Sequence, residues 1–183
     1  MSETLSAEHK STLLSIARQA IEEYVRNNKL ELAPSDDPTL NEKRGCFVTI
    51  RQTGNLRGCI GVFTSEKPLY QEVAEMAISA ATRDPRFRPM TEKELGNFTL
   101  EISVLSPLIE ADSPEQIEVG THGIYLERGY SRGVLLPQVA TEYNWDRMTF
   151  LEQTCVKAGL PRDAWNASDT RLYIFSAEIF NDK

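Results

Sequence analysis

The stretch that decides the fold is residues 46–63, with the sequence CFVTIRQTGNLRGCIGVF. Two runs rich in apolar and β-branched residues, 46–50 and 56–63, flank the turn-forming triplet Thr53-Gly54-Asn55. Runs of this kind around such a triplet are typical of a β-hairpin. The sequence therefore predicts two adjacent antiparallel strands here.

The register of this hairpin follows from the choice of turn residues. With Gly54 and Asn55 as the two turn residues, Ile50 is expected to face Cys59. Cys46 and Cys59 would then share one face of the sheet, about 13 Å apart, which is too far for a disulfide. A slip of one residue would reverse the faces.

Amphipathic helices are predicted on both sides of the hairpin. Upstream, apolar residues at three- and four-residue steps predict a helix over 6–27. Downstream, Ser65 is expected to cap a helix that has Pro68 in its first turn and continues to about Thr82. The peptide 83–89 contains two prolines and is expected to end this helix.

The rest of the chain predicts short elements of both kinds. A capping box at Thr91-x-x-Glu94 predicts a short helix. Strands are expected over 98–106, 123–127, 133–136 and 171–180, and helices are expected to begin at Pro137 and after Asp146. Because helices mix with hairpin-like strand pairs, the fold class is predicted as α+β, with an antiparallel or mixed sheet packed with helices.

Composition and charge limit the function classes. The 183 residues fit one domain, and 20 basic against 27 acidic residues give a net charge of −7. This balance argues against non-specific binding to nucleic acid or to an anionic membrane. No apolar run is long enough to span a membrane, and the polar N-terminus does not resemble a signal peptide. Three cysteines without a C-x-x-C pair favour free thiols in a reducing compartment, so a cytoplasmic protein is expected.

The most unusual peptide is Leu-Arg-Gly-Cys-Ile-Gly at 56–61. Gly58 and Gly61 leave the sulfur of Cys59 uncrowded and allow a close approach to the backbone. Arg57, two residues away, is expected on the same strand face, where it could favour the thiolate. One interpretation is a reactive or ligand-binding thiol beside a cation. The other is a cysteine that packs as a small hydrophobe, with glycines that make room for a bulky neighbour.

Other candidate residues lie in three separate peptides. Asp84 and Arg86 either form a salt bridge that fixes a turn or present a carboxylate and a guanidinium to a ligand. His122, between glycines, is suited to acid–base or metal chemistry, or else bonds to nearby backbone. Gln138 and Glu142 share a helix face, and Glu142 is either a general base or metal ligand or a solvated residue. Neither metal-ligand spacing nor a nucleotide-binding motif occurs, so no metal and no cofactor is predicted.

Six peptides carry a family resemblance, and they occur in order at 56–61, 84–87, 104–107, 121–124, 135–140 and 157–160. In these motifs the chain resembles the AMME chromosomal-region (AMMECR) family and is similar to the prokaryotic AmmeMemoRadiSam system protein A group. The resemblance covers about residues 5–180 and implies a single AMMECR-like α+β domain with a larger and a smaller lobe. It implies no settled activity. Because prokaryotic members are associated with Memo-like proteins and radical S-adenosylmethionine proteins, it suggests partners of these kinds.

Function is left open between an enzyme and a binding protein. The first hypothesis is a thiol-centred enzyme or modification-pathway component, with a cleft for a small-molecule ligand around residues 56–61. Its catalytic residues would be Cys59, His122, Glu142 and Asp84, and its ligand-binding residues Arg57, Gly58, Gly61, Arg86 and Gln138. The alternative is a non-catalytic binding or scaffold protein for a protein partner, and nucleic-acid binding is less favoured. The enzyme hypothesis depends on the prediction that folding brings these peptides around one hollow.

Overall fold

A computed structural model describes residues 4–182. The chain divides into two compact units, one formed by residues 4–105 and 178–182 and the other by residues 106–177. The helices are α1 (Ala7–Asn27), α2 (Leu69–Thr82), α3 (Pro137–Glu142) and α4 (Arg147–Lys157). The strands are β1 (Cys46–Gln52), β2 (Asn55–Val62), β3 (Thr99–Leu105), β4 (Ile109–Glu110), β5 (Gly123–Arg128), β6 (Ser131–Leu135), β7 (Arg171–Phe175) and β8 (Ala177–Asn181). The predicted α+β class is confirmed.

The first unit contains a four-stranded sheet in the order β2-β1-β3-β8. β1 runs antiparallel to both β2 and β3. Alternate residues of β1, Cys46, Val48 and Ile50, are fully buried, as expected for a strand with one apolar face. They share a core with apolar side chains of α1 and α2, including Leu13 and Val73. The helices therefore cover this face of β1, and the side chains between the buried ones point to the opposite face.

Local capping signals place several helix ends as the sequence predicted. At the start of α1, the Ser6 hydroxyl accepts a hydrogen bond from the backbone N–H of His9. At the start of α4, Asp146 accepts one from the backbone N–H of Thr149 at 2.7 Å. The predicted capping box at 91–94 is also present, on a single 3₁₀ turn.

The start of α2 differs from the prediction. The helix begins at Leu69 with Pro68 as its N-cap, and Ser65 lies before it without capping it. The Ser65 hydroxyl donates instead to the carboxylate of the buried Glu72. Proline suits a helix start because the first N–H groups have no partner within the helix. The first N–H of the helix, on Leu69, donates to the carbonyl oxygen of Glu42 at 2.9 Å.

The hairpin turn is one residue earlier than expected. Gln52 lies opposite Asn55, so the two turn residues are Thr53 and Gly54. Their φ angles are +49° and +82°. A type I′ turn requires positive φ at both central residues, and this turn matches the twist of the two strands. The sequence interpretation assumed Gly54 and Asn55 as the turn residues, and threonine seldom adopts the positive φ seen at Thr53.

The shifted turn and a β-bulge change the expected register of the hairpin. The pairing skips Arg57, so Ile50 faces Gly58, and Thr49 faces Cys59. The expectation that Cys46 and Cys59 share a sheet face was therefore wrong. Cys46 lies on the buried face under the helices, whereas Cys59 and Thr49 lie on the opposite face.

The second unit contains a sheet in the order β4-β7-β5-β6, and its paired strands are antiparallel. Buried residues of β5 and β7 share a core with Phe150, Leu151 and Cys155 of α4. Gly133 of β6 permits close packing, since a Cβ there would lie 2.4 Å from the carbonyl oxygen of Thr154. Residues 171–180, expected as one strand, form β7 and β8 in different sheets.

The break between β7 and β8 falls at Ser176, which is exposed. Its carbonyl oxygen accepts a hydrogen bond from the N–H of Ser106 at 2.8 Å, and its own N–H donates to the Ser106 hydroxyl at 2.9 Å. Apolar residues on both sides of the serine gave no signal for this break. Ser106 lies 70 positions away from Ser176 in sequence, so local sequence patterns carry no information about this pairing.

Candidate functional site

Cys59 lies in β2, an edge strand of the first unit's sheet. Its backbone N–H donates to Oδ2 of Asp84 at 2.9 Å, and its carbonyl oxygen lies 3.4 Å from Nη2 of Arg86. A carboxylate and a guanidinium thus occupy the place of a neighbouring strand. Free N–H and C=O groups on an edge strand invite pairing with other chains, so Asp84 and Arg86 protect this part of the edge.

Asp84 follows the C-terminus of α2 and is buried, with 3% of its surface exposed. Its Oδ1 accepts hydrogen bonds from Nε and the backbone N–H of Arg86, at 2.9 and 3.1 Å, and its Oδ2 accepts one from Nη2 at 2.7 Å. These hydrogen bonds from Arg86, joined by that from Cys59, hold the pKa of Asp84 far below its ordinary value against the opposing effect of burial. Asp84 is therefore ionised at neutral pH and orients its neighbours rather than exchanging protons.

The sulfur of Cys59 accepts a hydrogen bond from the hydroxyl of Thr49, with 3.2 Å between Oγ1 and Sγ. Cys59 is half-buried, so its side chain is accessible in part. On its other side, Thr49 lies opposite Glu101 of β3. A thiol, a hydroxyl and a carboxyl group therefore form a row across three strands on the face away from α1 and α2. The carboxyl group of Glu101 has no hydrogen bond or ion pair within residues 4–182.

The two glycines of the motif make room for neighbours, as one of the sequence interpretations proposed. A Cβ on Gly58 would lie 2.0 Å from the carbonyl oxygen of Ala80 in α2. A Cβ on Gly61 would lie 2.4 Å from the ring of Phe47. That ring packs edge-to-face against Phe63, with centroids 5.0 Å apart. Both glycines therefore have a packing role in this fold.

Arg57 is the bulge residue of β2 and is 8% exposed. Its Nε donates to Oε1 of Glu94 at 2.9 Å, and its Nη2 donates to the carbonyl oxygen of Arg88 at 3.0 Å. The hydrogen bond from Arg57 is the main cause that lowers the pKa of Glu94 to about 2. β-Bulges commonly redirect a side chain in this way. The guanidinium that contacts residue Cys59 is thus that of Arg86, whereas Arg57 is directed to Glu94.

The other two cysteines have different surroundings. Cys46 and Cys155 are fully buried, each in the core of its own unit. Burial raises the pKa of both thiols, and the nearby Glu72 adds to the effect at Cys46. A buried thiol with a raised pKa is a poor nucleophile at neutral pH.

The second unit holds the remaining candidate residues. His122 immediately precedes β5; its Nδ1 accepts a hydrogen bond from the backbone N–H of Glu118 at 3.1 Å. This bond leaves Nε2 as the ring nitrogen that carries the proton in the neutral form. Gln138 lies on α3, and its buried Oε1 has no hydrogen-bond partner among the described residues. Glu142, the last residue of α3, is exposed.

The fold thus assembles one group of candidates within the first unit: Arg57, Gly58, Cys59, Gly61, Asp84 and Arg86. The second unit carries His122, Gln138 and Glu142. A common hollow for both groups stays a prediction. Across residues 4–182, no three His, Cys, Asp or Glu side chains are placed to hold a metal ion together. Over the same range, no helix has the length and apolarity to cross a membrane.

Sequence reasoning missed the partners Thr49, Glu94 and Glu101. Thr49 and Glu101 lie on the polar side of alternating strands, where solvent exposure is the ordinary expectation. Their place beside Cys59 depends on the hairpin register and on the pairing of β1 with β3. Glu94 was predicted only as part of the capping box, which it forms by accepting from the backbone N–H of Thr91 at 2.8 Å.

The fold and the site define an α+β protein with two compact units and a partly accessible cysteine on a protected edge strand. The AMMECR1 family model matches residues 14–180. The chain belongs to the AMMECR1 family, as its motifs predicted.

Relatives and a solved structure agree with this assignment. A protein of Methanothermobacter thermautotrophicus is 49% identical, over 97% of this chain and 96% of its own length. A protein of Methanopyrus kandleri is 43% identical, over 100% of this chain and 93% of its own length. The crystal structure of an uncharacterised protein from Pyrococcus horikoshii is similar with a TM-score of 0.85 at 42% identity, covering 98% of this chain and 94% of that one.

Proposed function

We propose that this protein acts through the thiol of Cys59, which accepts a chemical group in an enzymatic or modification reaction. The local environment of the Cys59 sulfur supports this proposal. Cys59 is half-buried, and the hydroxyl of Thr49 donates a hydrogen bond to Sγ at 3.2 Å. Partial exposure gives a reagent access to the sulfur, and the hydrogen bond fixes its position. Cys46 and Cys155 lack this access because they are buried.

The proposed step transfers a group X from a donor X–Y to Cys59. The S–H and X–Y bonds break, and an S–X bond forms. Y leaves with the electron pair of the X–Y bond and takes up the proton that the thiol loses. The donor is an electrophile with a good leaving group, such as a thioester. The step needs no external oxidant. A reducing compartment such as the cytoplasm would keep the thiol free.

Asp84 and Arg86 have a positioning role in this proposal. They hold the backbone N–H and C=O of Cys59, so the sulfur keeps a fixed place on the strand edge. Because the pKa of Asp84 is held far below its ordinary value, this carboxylate is not the proton acceptor for the thiol. Fixed geometry at a nucleophile reduces the reorganisation that a reaction requires.

Alkylation with iodoacetamide tests the nucleophile role. The rate at Cys59 would be followed by peptide mass mapping at neutral pH, in the folded protein and in the same protein unfolded by urea. We expect Cys59 to react about threefold faster in the folded protein, because Asp84, Arg86 and Thr49 hold it in one position. A folded-state rate equal to or below that of the unfolded chain would remove the nucleophile role.

A non-catalytic binding protein is the second candidate function. The ionic side chains near Cys59 are arranged as two fixed pairs, Asp84 with Arg86 and Glu94 with Arg57. Both carboxyl groups have a lowered pKa, so neither exchanges protons at neutral pH. Such a static arrangement suits recognition as well as catalysis.

The binding candidate has its own discriminating experiment. By family resemblance, Memo-like and radical S-adenosylmethionine proteins are the first partners to test. Titration of a purified Memo-like protein by calorimetry would compare the wild type with Cys59→Ser. Equal affinity would favour the binding candidate, and loss of binding in the variant would favour a direct role for the thiol. Binding to nucleic acid would have to appear at low salt and weaken steeply as salt rises.

A further inference from the structure

Two guanidinium groups lie against one aromatic ring beside the Cys59 strand. The ring is that of Phe87, and its centroid lies 5.9 Å from Cζ of Arg57 and 5.6 Å from Cζ of Arg86. Arg57 approaches from the bulge of β2, and Arg86 from the turn after α2. Phe87 therefore brings two cations near the same short segment of β2 that carries Cys59.

Each of these guanidinium groups keeps an unused donor. The Nη1 atom of Arg57 is buried and has no hydrogen-bond partner among the described residues. Arg57 as a whole is 8% exposed. A buried donor without a protein partner is unusual and costs free energy, and a bound water or a ligand atom is the ordinary explanation. The hydrogen bonds of Arg86 use its backbone N–H, Nε and Nη2, and its side chain is 54% exposed. Its Nη1 is thus available to solvent or to a ligand.

The charges around Phe87 favour an anion over a cation. The two carboxylates of this cluster, Asp84 and Glu94, are each held by a guanidinium at 2.7 and 2.9 Å. Arg88 follows Phe87 in the chain, is exposed, and has no ion pair within residues 4–182. Counted by sequence, residues 84–88 together with Arg57 and Glu94 carry one more positive than negative group, in a protein whose net charge is −7.

We propose that the group donor for Cys59 carries an oxyanion, of the carboxylate or phosphate class, which binds to the exposed guanidinium of Arg86, with the buried Arg57 adding positive charge across Phe87. This inference rests on the proposed function of Cys59 and deepens it by naming the substrate class. Guanidinium groups bind such oxyanions through charge-assisted hydrogen bonds. The oxyanion would place the reacting part of the donor beside the sulfur.

Competition between two alkylating reagents tests the substrate class. Iodoacetate and iodoacetamide form the same S–C bond and release the same iodide, but iodoacetate is an anion. We expect the ratio of the iodoacetate rate to the iodoacetamide rate at Cys59 to be about fivefold higher in the folded protein than in the urea-unfolded protein. The excess should fall as salt is added, because salt screens the attraction. A ratio equal to that of the unfolded chain would overturn the oxyanion proposal while leaving the thiol proposal intact.

Arg86→Gln tests the assigned residue. We expect the variant to lose the excess of the iodoacetate rate over the iodoacetamide rate. Because the readout is a ratio of two rates, a general change in the position or reactivity of the sulfur cancels. Arg83→Gln is the matched control. It removes an exposed arginine from the same peptide, and Arg83 has no ion pair within residues 4–182. It should change the ratio less than twofold. An equal loss in both variants would contradict a specific site at Arg86.

A measurement that does not depend on the thiol keeps the two proposals separate. Inorganic phosphate is added to the wild type and to Arg86→Gln at matched ionic strength, and thermal unfolding is followed. If the site binds phosphate with a dissociation constant of about 2 mM, 20 mM phosphate shifts the wild-type folding equilibrium roughly tenfold. Arg86→Gln should show no such shift. No phosphate effect in the wild type would overturn the oxyanion proposal even if Cys59 proved unreactive.

Discussion

The two cysteines of the central hairpin, Cys46 and Cys59, lie on neighbouring strands but on opposite faces of the sheet. Cys46 is completely buried under α1 and α2, and burial raises the pKa of its thiol. Cys59 is half-buried and accepts a hydrogen bond from Thr49. One strand pair thus holds a packing cysteine and a candidate reactive cysteine.

Register decides the chemistry of a cysteine in a sheet. Side chains alternate between faces, so a shift of one residue exchanges a core position for an accessible one. In this hairpin, the turn at Thr53-Gly54 and the bulge at Arg57 set the register. The same bulge directs Arg57 to Glu94 and leaves Arg86 to contact Cys59. The two faces of the sheet should therefore respond differently to substitution.

The packed face should be least tolerant at Gly58. The substitution Gly58→Ala places a Cβ 2.0 Å from the carbonyl oxygen of Ala80, which is backbone and cannot rotate away. We expect the free energy of unfolding to fall by about 3 kcal/mol, measured by urea denaturation. Gly96→Ala is the control, since a Cβ there meets nothing within 4 Å, and it should change stability by less than about 0.5 kcal/mol. Equal effects of the two variants would contradict the close contact.

Removing the carboxylate that holds Arg57 should have the next largest effect. Glu94→Gln leaves a buried guanidinium without its counter-charge, and we expect a loss of about 2 kcal/mol at neutral pH. Arg57 lowers the pKa of Glu94 from its ordinary 4.5 to about 2 in the folded protein. The stabilisation is therefore complete above pH 4.5 and is lost as pH falls toward 2.

The pH dependence of this pair is measured by urea denaturation of the wild type and Glu94→Gln across that range. The difference in stability between them should shrink as the solution becomes more acid. Glu92→Gln serves as the control, because Glu92 is exposed and its carboxylate has no ion pair within residues 4–182. A difference that stays constant from pH 7 to acid would argue against the Arg57 pair as its source.

Serine substitutions should separate the two cysteines by stability. Cys46→Ser places a hydroxyl in a buried, largely apolar core, so we expect a loss of about 1.5 kcal/mol. Cys59→Ser should change the free energy of unfolding by less than about 0.5 kcal/mol, because its side chain is half-exposed and lies beside a hydroxyl. Thermal or urea unfolding measures both. The reverse order would place Cys59 in the core and end its assignment as an accessible thiol.

The smallest expected effect concerns the hydrogen bond to sulfur. Thr49→Val keeps the shape of the side chain and removes the donor. We expect the iodoacetamide rate at Cys59 to fall about threefold at neutral pH, consistent with a hydrogen bond of modest net strength. Thr99→Val is the matched control, as it removes an exposed hydroxyl from β3, opposite Arg51. Unchanged rates in Thr49→Val would show that the hydroxyl does not influence the thiol.

Local signals in the sequence predicted much of the fold. Asp146 caps α4 as expected, because an N-cap interaction spans only three residues. The salt bridge between Asp84 and Arg86 spans two residues and was one of the two interpretations that the sequence offered for that peptide. In both features the interacting residues are close together in the sequence.

Features that depend on distant partners could not be predicted. The contact of Cys59 with Asp84 joins a strand to the end of a helix 25 residues later. The helix-cap expectation for Ser65 failed because its hydroxyl bonds to Glu72 instead. The row formed by Cys59, Thr49 and Glu101 exists only through pairing of three strands.

The most direct test compares the cysteines within one folded molecule. Limited iodoacetamide labelling at neutral pH, followed by peptide mass mapping, gives separate rates for Cys46 and Cys59. We expect Cys59 to react at least about a hundredfold faster, because Cys46 must wait for the core to open. Equal rates at the two cysteines, both limited by unfolding, would contradict the central claim that the hairpin presents Cys59 as an accessible, chemically distinct thiol.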